Sequence, residues 1–116
     1  MKIVLTSFGD AGNISEERIG FRVKESCNMK FFVVYHTRKT EGGFSNRPAH
    51  VFWFYPKDVK AGDEVVLYTK SGKDSIEEKG DHKVHFFYWH LDAPILSEGN
   101  CIVLSEVDDW EVTECE

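Results

Sequence analysis

The chain has 116 residues, of which 41% are hydrophobic, 29% charged and 14% aromatic. This length fits one domain, and the composition excludes a disordered, collagenous or coiled-coil chain. The net charge is −6, and an acidic protein is repelled by phosphate backbones and anionic lipid unless a basic patch overrides the mean. We therefore expect one soluble globular domain, residues 1–116, in which the acidic residues 106–116 form a frayed tail.

Short runs rich in valine and aromatic residues recur between clusters of glycine, aspartate, asparagine, serine and proline, which is typical of an all-β chain. No segment keeps the apolar spacing of a helix over ten positions. Seven or eight strands in a chain of this length indicate a β-sandwich or a small barrel. The pattern predicts strands at residues 2–7, 17–24, 30–37, 50–56, 64–70, 84–91 and 100–106, with a possible eighth at 110–113.

The connections between these strands contain residues that favour turns. Residues 60–63 read Lys-Ala-Gly-Asp, which predicts a tight turn with Gly62 at a positive φ. Residues 70–81 form the most polar stretch of the chain and are predicted to be a mobile loop.

The compartment is predicted from what the sequence lacks. The apolar stretch at residues 3–5 is too short for a signal peptide, and no run approaches the roughly 18 residues of a membrane span. Cys27, Cys101 and Cys115 show no CxxC spacing, which favours reduced thiols. We expect a cytoplasmic protein without a cofactor.

The second half contains a glycine turn and a following strand at residues 59–68, a glycine-containing segment at 69–73, and an aromatic run followed by a closing run at 87–89 and 94–104. These three pieces resemble the lamin-tail domain, an immunoglobulin-like sandwich found in nuclear lamins and in many bacterial proteins. Residues 59–68, Val-Lys-Ala-Gly-Asp-Glu-Val-Val-Leu-Tyr, look like that family's glycine turn and the strand after it. Residues 69–73 look like the glycine-containing end of that strand. Residues 87–89 and 94–104 look like the aromatic strand, the bulky turn and the closing strand. The resemblance covers about half of the chain, residues 50–113.

The resemblance implies a single immunoglobulin-like β-sandwich of about seven or eight antiparallel strands. Known members mostly bind or scaffold, and no catalytic residues belong to the module itself. The resemblance therefore implies a binding or assembly module that is not an enzyme.

Two aromatic runs, residues 51–55 and 86–89, do not alternate with polar residues. Successive side chains of a strand point to opposite faces, so each run places aromatic residues on both faces. One face is the core, and the other is covered by the chain's own loops, by a partner or second copy, or by a ligand. The interface residues that we predict from these runs are Trp53, Tyr55, Tyr88 and Trp89.

An alternative function, a small metal-binding protein or hydrolase, rests on a histidine cluster. Zinc needs three or four converging ligands, whereas the odd spacing of these histidines along a strand points them to opposite faces. The spacing therefore favours ordinary surface or core histidines and predicts no metal. His36 and His50 stand apart and are interpreted as structural. The cluster consists of Asp81, His82, His85 and His90.

A third possibility is nucleic-acid binding through the first half, in which nine Lys or Arg residues stand against six Asp or Glu. Basic residues beside exposed aromatic rings are typical of proteins that bind single strands. The second half carries five basic and fourteen acidic residues, which makes this partner less favourable than a protein. The basic groups are Arg18, Arg22, Lys24 and Lys30, and Arg38, Lys39 and Arg47.

Overall fold

The computed structural model describes residues 1–115, in which the chain is all-β apart from one 3-10 turn at Met29–Phe31. The eleven strands of the described residues are β1 (Ile3–Gly9), β2 (Arg18–Val23), β3 (Cys27–Asn28), β4 (Phe32–Thr40), β5 (Gly43–Phe44), β6 (His50–Trp53), β7 (Asp58–Val59), β8 (Glu64–Tyr68), β9 (Ser75–Glu78), β10 (Lys83–Tyr88) and β11 (Asn100–Glu106).

The larger sheet has five strands in the order β1-β2-β8-β10-β9, and β1 and β9 are its open edges. β10 pairs with β9 antiparallel but with β8 in parallel. The expectation of purely antiparallel strands is therefore wrong at this point. The reason is that β9 takes the edge position, and β10 then folds back between β9 and β8 in the same direction as β8.

The smaller sheet is built around β4. β11 pairs antiparallel with one side of β4, while β5 and β6 pair antiparallel with β4 at successive positions. β3 and β7 form a separate two-stranded ladder. β4 therefore pairs with each of the other three strands of this sheet.

The two sheets share one hydrophobic core. Val65 and Leu67 of β8 are fully buried, as are Phe32 and Val34 of β4. Because these residues alternate along their strands, the residues between them point to the opposite, outer faces of the sheets. The core also contains residues from β1, β2, β6 and β10, which are Ile3, Ile19, Phe21, Val23, Phe52 and Phe87.

The seven main predicted strands are confirmed as β1, β2, β4, β6, β8, β10 and β11, with shifted ends. The possible eighth strand at 110–113 is wrong: residues 107–115 form no strand, and Trp110 packs against the rings of Phe31 and Trp53. The predicted loop at 70–81 contains the strand β9. The sequence pattern did not predict this strand because Ile76 is the only residue of β9 with a strong preference for strands. The predicted turn is confirmed: Gly62 has a φ of 95°, and the Asp63 amide donates to the Lys60 carbonyl at 2.9 Å.

A buried carboxylate ties three distant segments together. The Glu17 carboxylate is fully buried and accepts hydrogen bonds from the Thr69 hydroxyl at 2.7 Å and the Gly12 amide at 2.8 Å. The amides of Ile95 and Leu96 donate to it at 2.9 and 3.1 Å. Burial acts to raise the pKa of this carboxyl, but the four donors outweigh burial and hold the pKa below its ordinary value. Glu17 is therefore an ionised structural group.

Candidate functional site

Trp89, one of the four predicted interface residues, belongs to the core. It is only 7% exposed, and its ring centroid lies 5.9 Å from that of Phe52. The inward alternation of β10 runs through His85 and Phe87 and continues to Trp89, which explains this placement. The prediction that Trp89 forms part of a surface patch is therefore wrong.

Tyr88 lies on the outer face of the five-stranded sheet and is partly buried. Its ring stacks on that of Tyr68 with a centroid separation of 5.3 Å and an interplanar angle of 10°. Tyr68 also stacks on Phe86 and lies beneath the Lys70 ammonium. A side-chain carbon at Gly72 would collide with the Tyr88 ring, so the loop after β8 packs directly on this tyrosine.

We expect Gly72→Ala to destabilise the protein by about 1–3 kcal/mol, since the added methyl group must displace the Tyr88 ring. Thermal unfolding measures the loss. Gly43→Ala is the matched control, because nothing lies within 4 Å of a methyl group there. Equal melting temperatures for the two variants would contradict the packing of residue 72 on Tyr88.

The remaining two predicted residues lie in different places. Tyr55 is 68% exposed and lines a groove beside β9 together with Pro56 and Lys57. Trp53 is 46% exposed and lies on the outer face of the smaller sheet, opposite Val33 of β4. The four predicted residues therefore do not form one patch.

The structure instead groups Trp53 with other apolar side chains on the outer face of the smaller sheet. Val51 and Val103 both lie opposite Tyr35 of the central strand β4, and directly opposite residues share a face of a sheet. Phe44 of β5 adjoins the same strand. We define the apolar face as Tyr35, Phe44, Val51, Trp53, Val103 and Trp110.

Four members of the apolar face are strongly exposed. Phe44 is 54% exposed, Val51 52% and Trp110 42%, in addition to Trp53. The first aromatic run does place side chains on both faces as predicted, because Phe52 and Phe54 are buried while Val51 and Trp53 are not. Tyr35 and Val103 carried no sequence signal of their own, since their place on this face follows only from strand register.

Trp53 is held in a fixed position on the apolar face. Its indole N–H donates to the Lys30 carbonyl at 2.7 Å, and its ring meets that of Trp110 edge to face at 5.1 Å. Trp110 also contacts Phe31, at 5.8 Å between centroids. An anchored aromatic pair loses little conformational entropy on binding, which suits it to an interface.

The other end of the apolar face contains a cavity. It has a volume of about 260 Å³ between the face and the segment 44–48 that precedes β6. The Thr37 hydroxyl donates to the Ser45 carbonyl at 2.8 Å and holds this segment against the sheet. The walls of the cavity are mostly apolar and include Tyr35, Phe44, Pro48 and Val103.

Charges of opposite sign border the two ends of the apolar face. Lys39 pairs with Phe44 at one end of β4. At the other end, near Phe32, the Val107 amide donates to the Phe31 carbonyl and Trp110 packs against Trp53. The exposed residues Asp108 and Asp109, which lie between Val107 and Trp110, are therefore at that end. The two ends are seven residues of strand apart, or roughly 23 Å. Lys39 therefore borders one end of the apolar face, and Asp108 and Asp109 border the other.

The predicted histidine cluster does not converge. His82 is bonded to Asp81 at 2.7 Å and to Glu64 at 3.0 Å, and these carboxylates raise its pKa in that order. His85 is buried against Asp63, and His90 follows β10 with a φ of 63°. Residues 1–115 contain no group of three or more histidine, cysteine or acidic side chains that could hold a metal ion.

His36 and His50 are neighbours in the fold, which their sequence positions did not predict. Their Nδ1 atoms lie 3.0 Å apart and their rings stack, while the Nε2 atom of His36 lies 2.7 Å from the Asn100 side-chain oxygen. This chain of polar contacts joins β4, β6 and β11 at one end of the smaller sheet.

The basic residues of β2 face acidic neighbours. The Arg18 guanidinium bonds the Asp10 carboxylate at 2.7 Å, and this bond raises the pKa of Arg18. Arg22 lies opposite Glu64 of β8. The predicted basic group is therefore partly balanced by carboxylates of the same surface.

No protein-family model, curated protein or solved structure matches the chain. Across residues 1–115, no helix has the length and apolar character needed to cross a membrane.

Proposed function

We propose that the chain is a non-catalytic assembly module, an immunoglobulin-like sandwich similar to the lamin-tail domain, that docks a second copy through the apolar face. The proposal rests on one observation, the continuous group of exposed apolar side chains on the outer face of the smaller sheet. The shared core of the two sheets supports the sandwich.

An apolar face of this kind is unusual on a monomer. Large apolar patches on soluble proteins mark interaction sites, and aromatic residues are enriched at interface centres. Trp53 and Trp110 supply such a centre and are anchored by each other and by the Lys30 carbonyl. Burial of these two rings in an interface removes apolar surface from water, which is favourable.

The charges at the two ends favour a second copy as the partner. A two-fold axis that lies in the plane of the interface and runs perpendicular to β4 makes the apolar face meet its own copy with the strand directions opposed. Lys39 of one copy then lies over Asp108 and Asp109 of the other, and the contact occurs twice. Complementary charges of this kind fix the register of an interface.

Sedimentation velocity over a range of about 1 µM to 1 mM tests the proposal. We expect the protein to associate to a dimer as the concentration rises. Val51→Lys should weaken the dimer at least tenfold, because it places a charge at the centre of the buried face. Ile76→Lys is the matched control, since Ile76 is exposed on the other sheet. A protein that stays monomeric throughout would overturn the proposal.

A charge exchange tests the orientation of the two copies. Lys39→Glu should weaken the dimer, because it opposes Asp108 and Asp109 with a like charge. Combining Lys39→Glu with Asp108→Lys and Asp109→Lys should restore the dimer. If the combined variant is weaker than Lys39→Glu alone, the proposed two-fold arrangement is wrong.

A further inference from the structure

A second site lies on the other sheet, around His85. This side chain is 3% exposed, and its Nε2 atom lies 2.9 Å from the Asp63 carboxylate. Within residues 1–115, its Nδ1 atom is buried and has no hydrogen-bond partner. Buried polar atoms without a partner are rare and costly in folded proteins. This nitrogen therefore needs an explanation.

The bond to Asp63 determines which nitrogen carries the proton. Burial acts to raise the pKa of Asp63, but hydrogen bonds from His85 and from the Lys60 and Lys83 amides outweigh burial and lower it. Asp63 is thus an ionised carboxylate, which can only accept. The Nε2 atom of His85 must therefore be the donor, and in the neutral ring the free Nδ1 atom is an acceptor.

His85 lines a groove of about 400 Å³, which falls within the range of about 300–1,000 Å³ that is usual for ligand sites. The groove lies between β9 and the segment after β6. Its apolar walls include Ile76, Phe87 and Pro56, and Lys57 and Asp74 supply one charge of each sign. A ligand with an apolar body and one hydrogen-bond donor would match both the walls and the unpartnered acceptor.

The strand beside the groove is also unpaired on one side. β9 is the edge of its sheet, pairs with β10 alone among the strands of residues 1–115, and is exposed along its whole length. Edge strands present free backbone N–H and C=O groups on which an extended peptide can add as a further strand. Such a peptide would direct alternate side chains toward the groove.

From these observations we infer that β9 and the His85 groove form a binding site for an extended peptide, which pairs with β9 and seats in the groove a tyrosine-like side chain that donates to His85 Nδ1. Glu77 and Glu78 of β9 are paired with Lys79 at 2.8 Å and Lys83 at 3.6 Å, so strand pairing and the groove, rather than charge, select the peptide. This site lies on the other sheet from the apolar face and does not depend on the proposed dimer.

The probe is a capped pentapeptide of sequence lysine-valine-tyrosine-valine-lysine, followed by NMR. We expect it to shift the amide signals of Ser75 and Ile76 and the ¹⁵N signal of His85 Nδ1. Replacing its tyrosine by phenylalanine should weaken binding about fivefold, which corresponds to one lost hydrogen bond. Methylating the backbone nitrogens of its valines in one peptide, and that of its tyrosine in another, should abolish binding in one of the two, because alternate N–H groups of a strand pair with the same neighbour.

Variants of the protein separate this site from the apolar face. Ile76→Lys should abolish peptide binding without changing the dimer, whereas Val51→Lys should weaken the dimer and leave peptide binding unchanged. p-Cresol serves as a small probe that cannot pair with a strand. Binding of p-cresol without binding of the peptide would overturn strand addition. Equal affinities for the tyrosine and phenylalanine peptides would overturn the hydrogen bond to His85, and failure of both probes to bind would overturn the whole site.

Discussion

Glu17→Gln should lower the free energy of unfolding at pH 7 by about 3 kcal/mol, since hydrogen bonds to a charged group contribute about 1.5–3 kcal/mol each and a buried donor without a partner is costly. The wild-type carboxylate accepts four hydrogen bonds from three segments of the chain. Glutamine has one acceptor oxygen in place of two, and its NH₂ group would face amide donors. Urea unfolding measures the difference.

The pH dependence of the free energy of unfolding is a second test of the role of Glu17. The pKa of Glu17 in the folded protein lies below the ordinary 4.5, so its contribution is present above that value and is lost as the pH falls through the folded pKa. Wild type should therefore lose more stability than Glu17→Gln as the pH falls from the ordinary value of 4.5 through the lowered pKa of the folded protein. Some dependence remains in the variant, because the pKa of Asp63 is also lowered.

The exposed neighbour Glu16 supplies the control for both measurements. Glu16→Gln should change the urea midpoint little and leave the pH dependence as in wild type. A Glu17→Gln protein as stable as Glu16→Gln would show that the four donors find other partners, and the structural role of the carboxylate would then be wrong.

Trp89→Ala should destabilise the protein by about 3–5 kcal/mol, the usual cost of removing a large aromatic side chain from a core. Trp89 is nearly buried and packs against Phe52 and His50. Trp89→Phe keeps part of this packing and should recover a large part of the stability. Urea unfolding of the two variants gives the comparison.

Trp53→Ala is the contrasting variant, because Trp53 is half exposed. It should remain folded at 25 °C and weaken the dimer at least tenfold, as expected for an aromatic residue at an interface centre. If Trp53→Ala unfolds as readily as Trp89→Ala, Trp53 serves mainly the fold. If it folds and associates like wild type, the apolar face is not the interface.

The main strands could be predicted because their residues are strand formers separated by turn residues. Strand order could not, because it depends on long-range pairing that composition does not encode. The position of β10 between β8 and β9 is such a case, and so is β9 itself, whose residues Ser, Ile, Glu and Glu resemble a solvated loop.

The candidate site was predicted in part for the same reason. Alternation within the run 51–55 places Trp53 and Phe52 on opposite faces, as they are in the structure. It did not predict that Tyr55, which follows the end of β6, lies away from the apolar face. Nor did it predict that Trp110 of the acidic tail packs against Trp53. The run 86–89 gave no reason to prefer Tyr88 or Trp89 as the surface residue. Only the strand register shows that Trp89 points into the core.

The placement of the three tryptophans gives the protein its own optical reporters. Trp89 reports on the core, whereas Trp53 and Trp110 are partly in contact with water on the apolar face. Assembly through that face would exclude water from Trp53 and Trp110 and leave Trp89 unchanged. The emission maximum should therefore move to the blue as the concentration rises. Unfolding exposes all three indoles and moves it to the red, so one fluorescence spectrum distinguishes association from loss of structure without any added label.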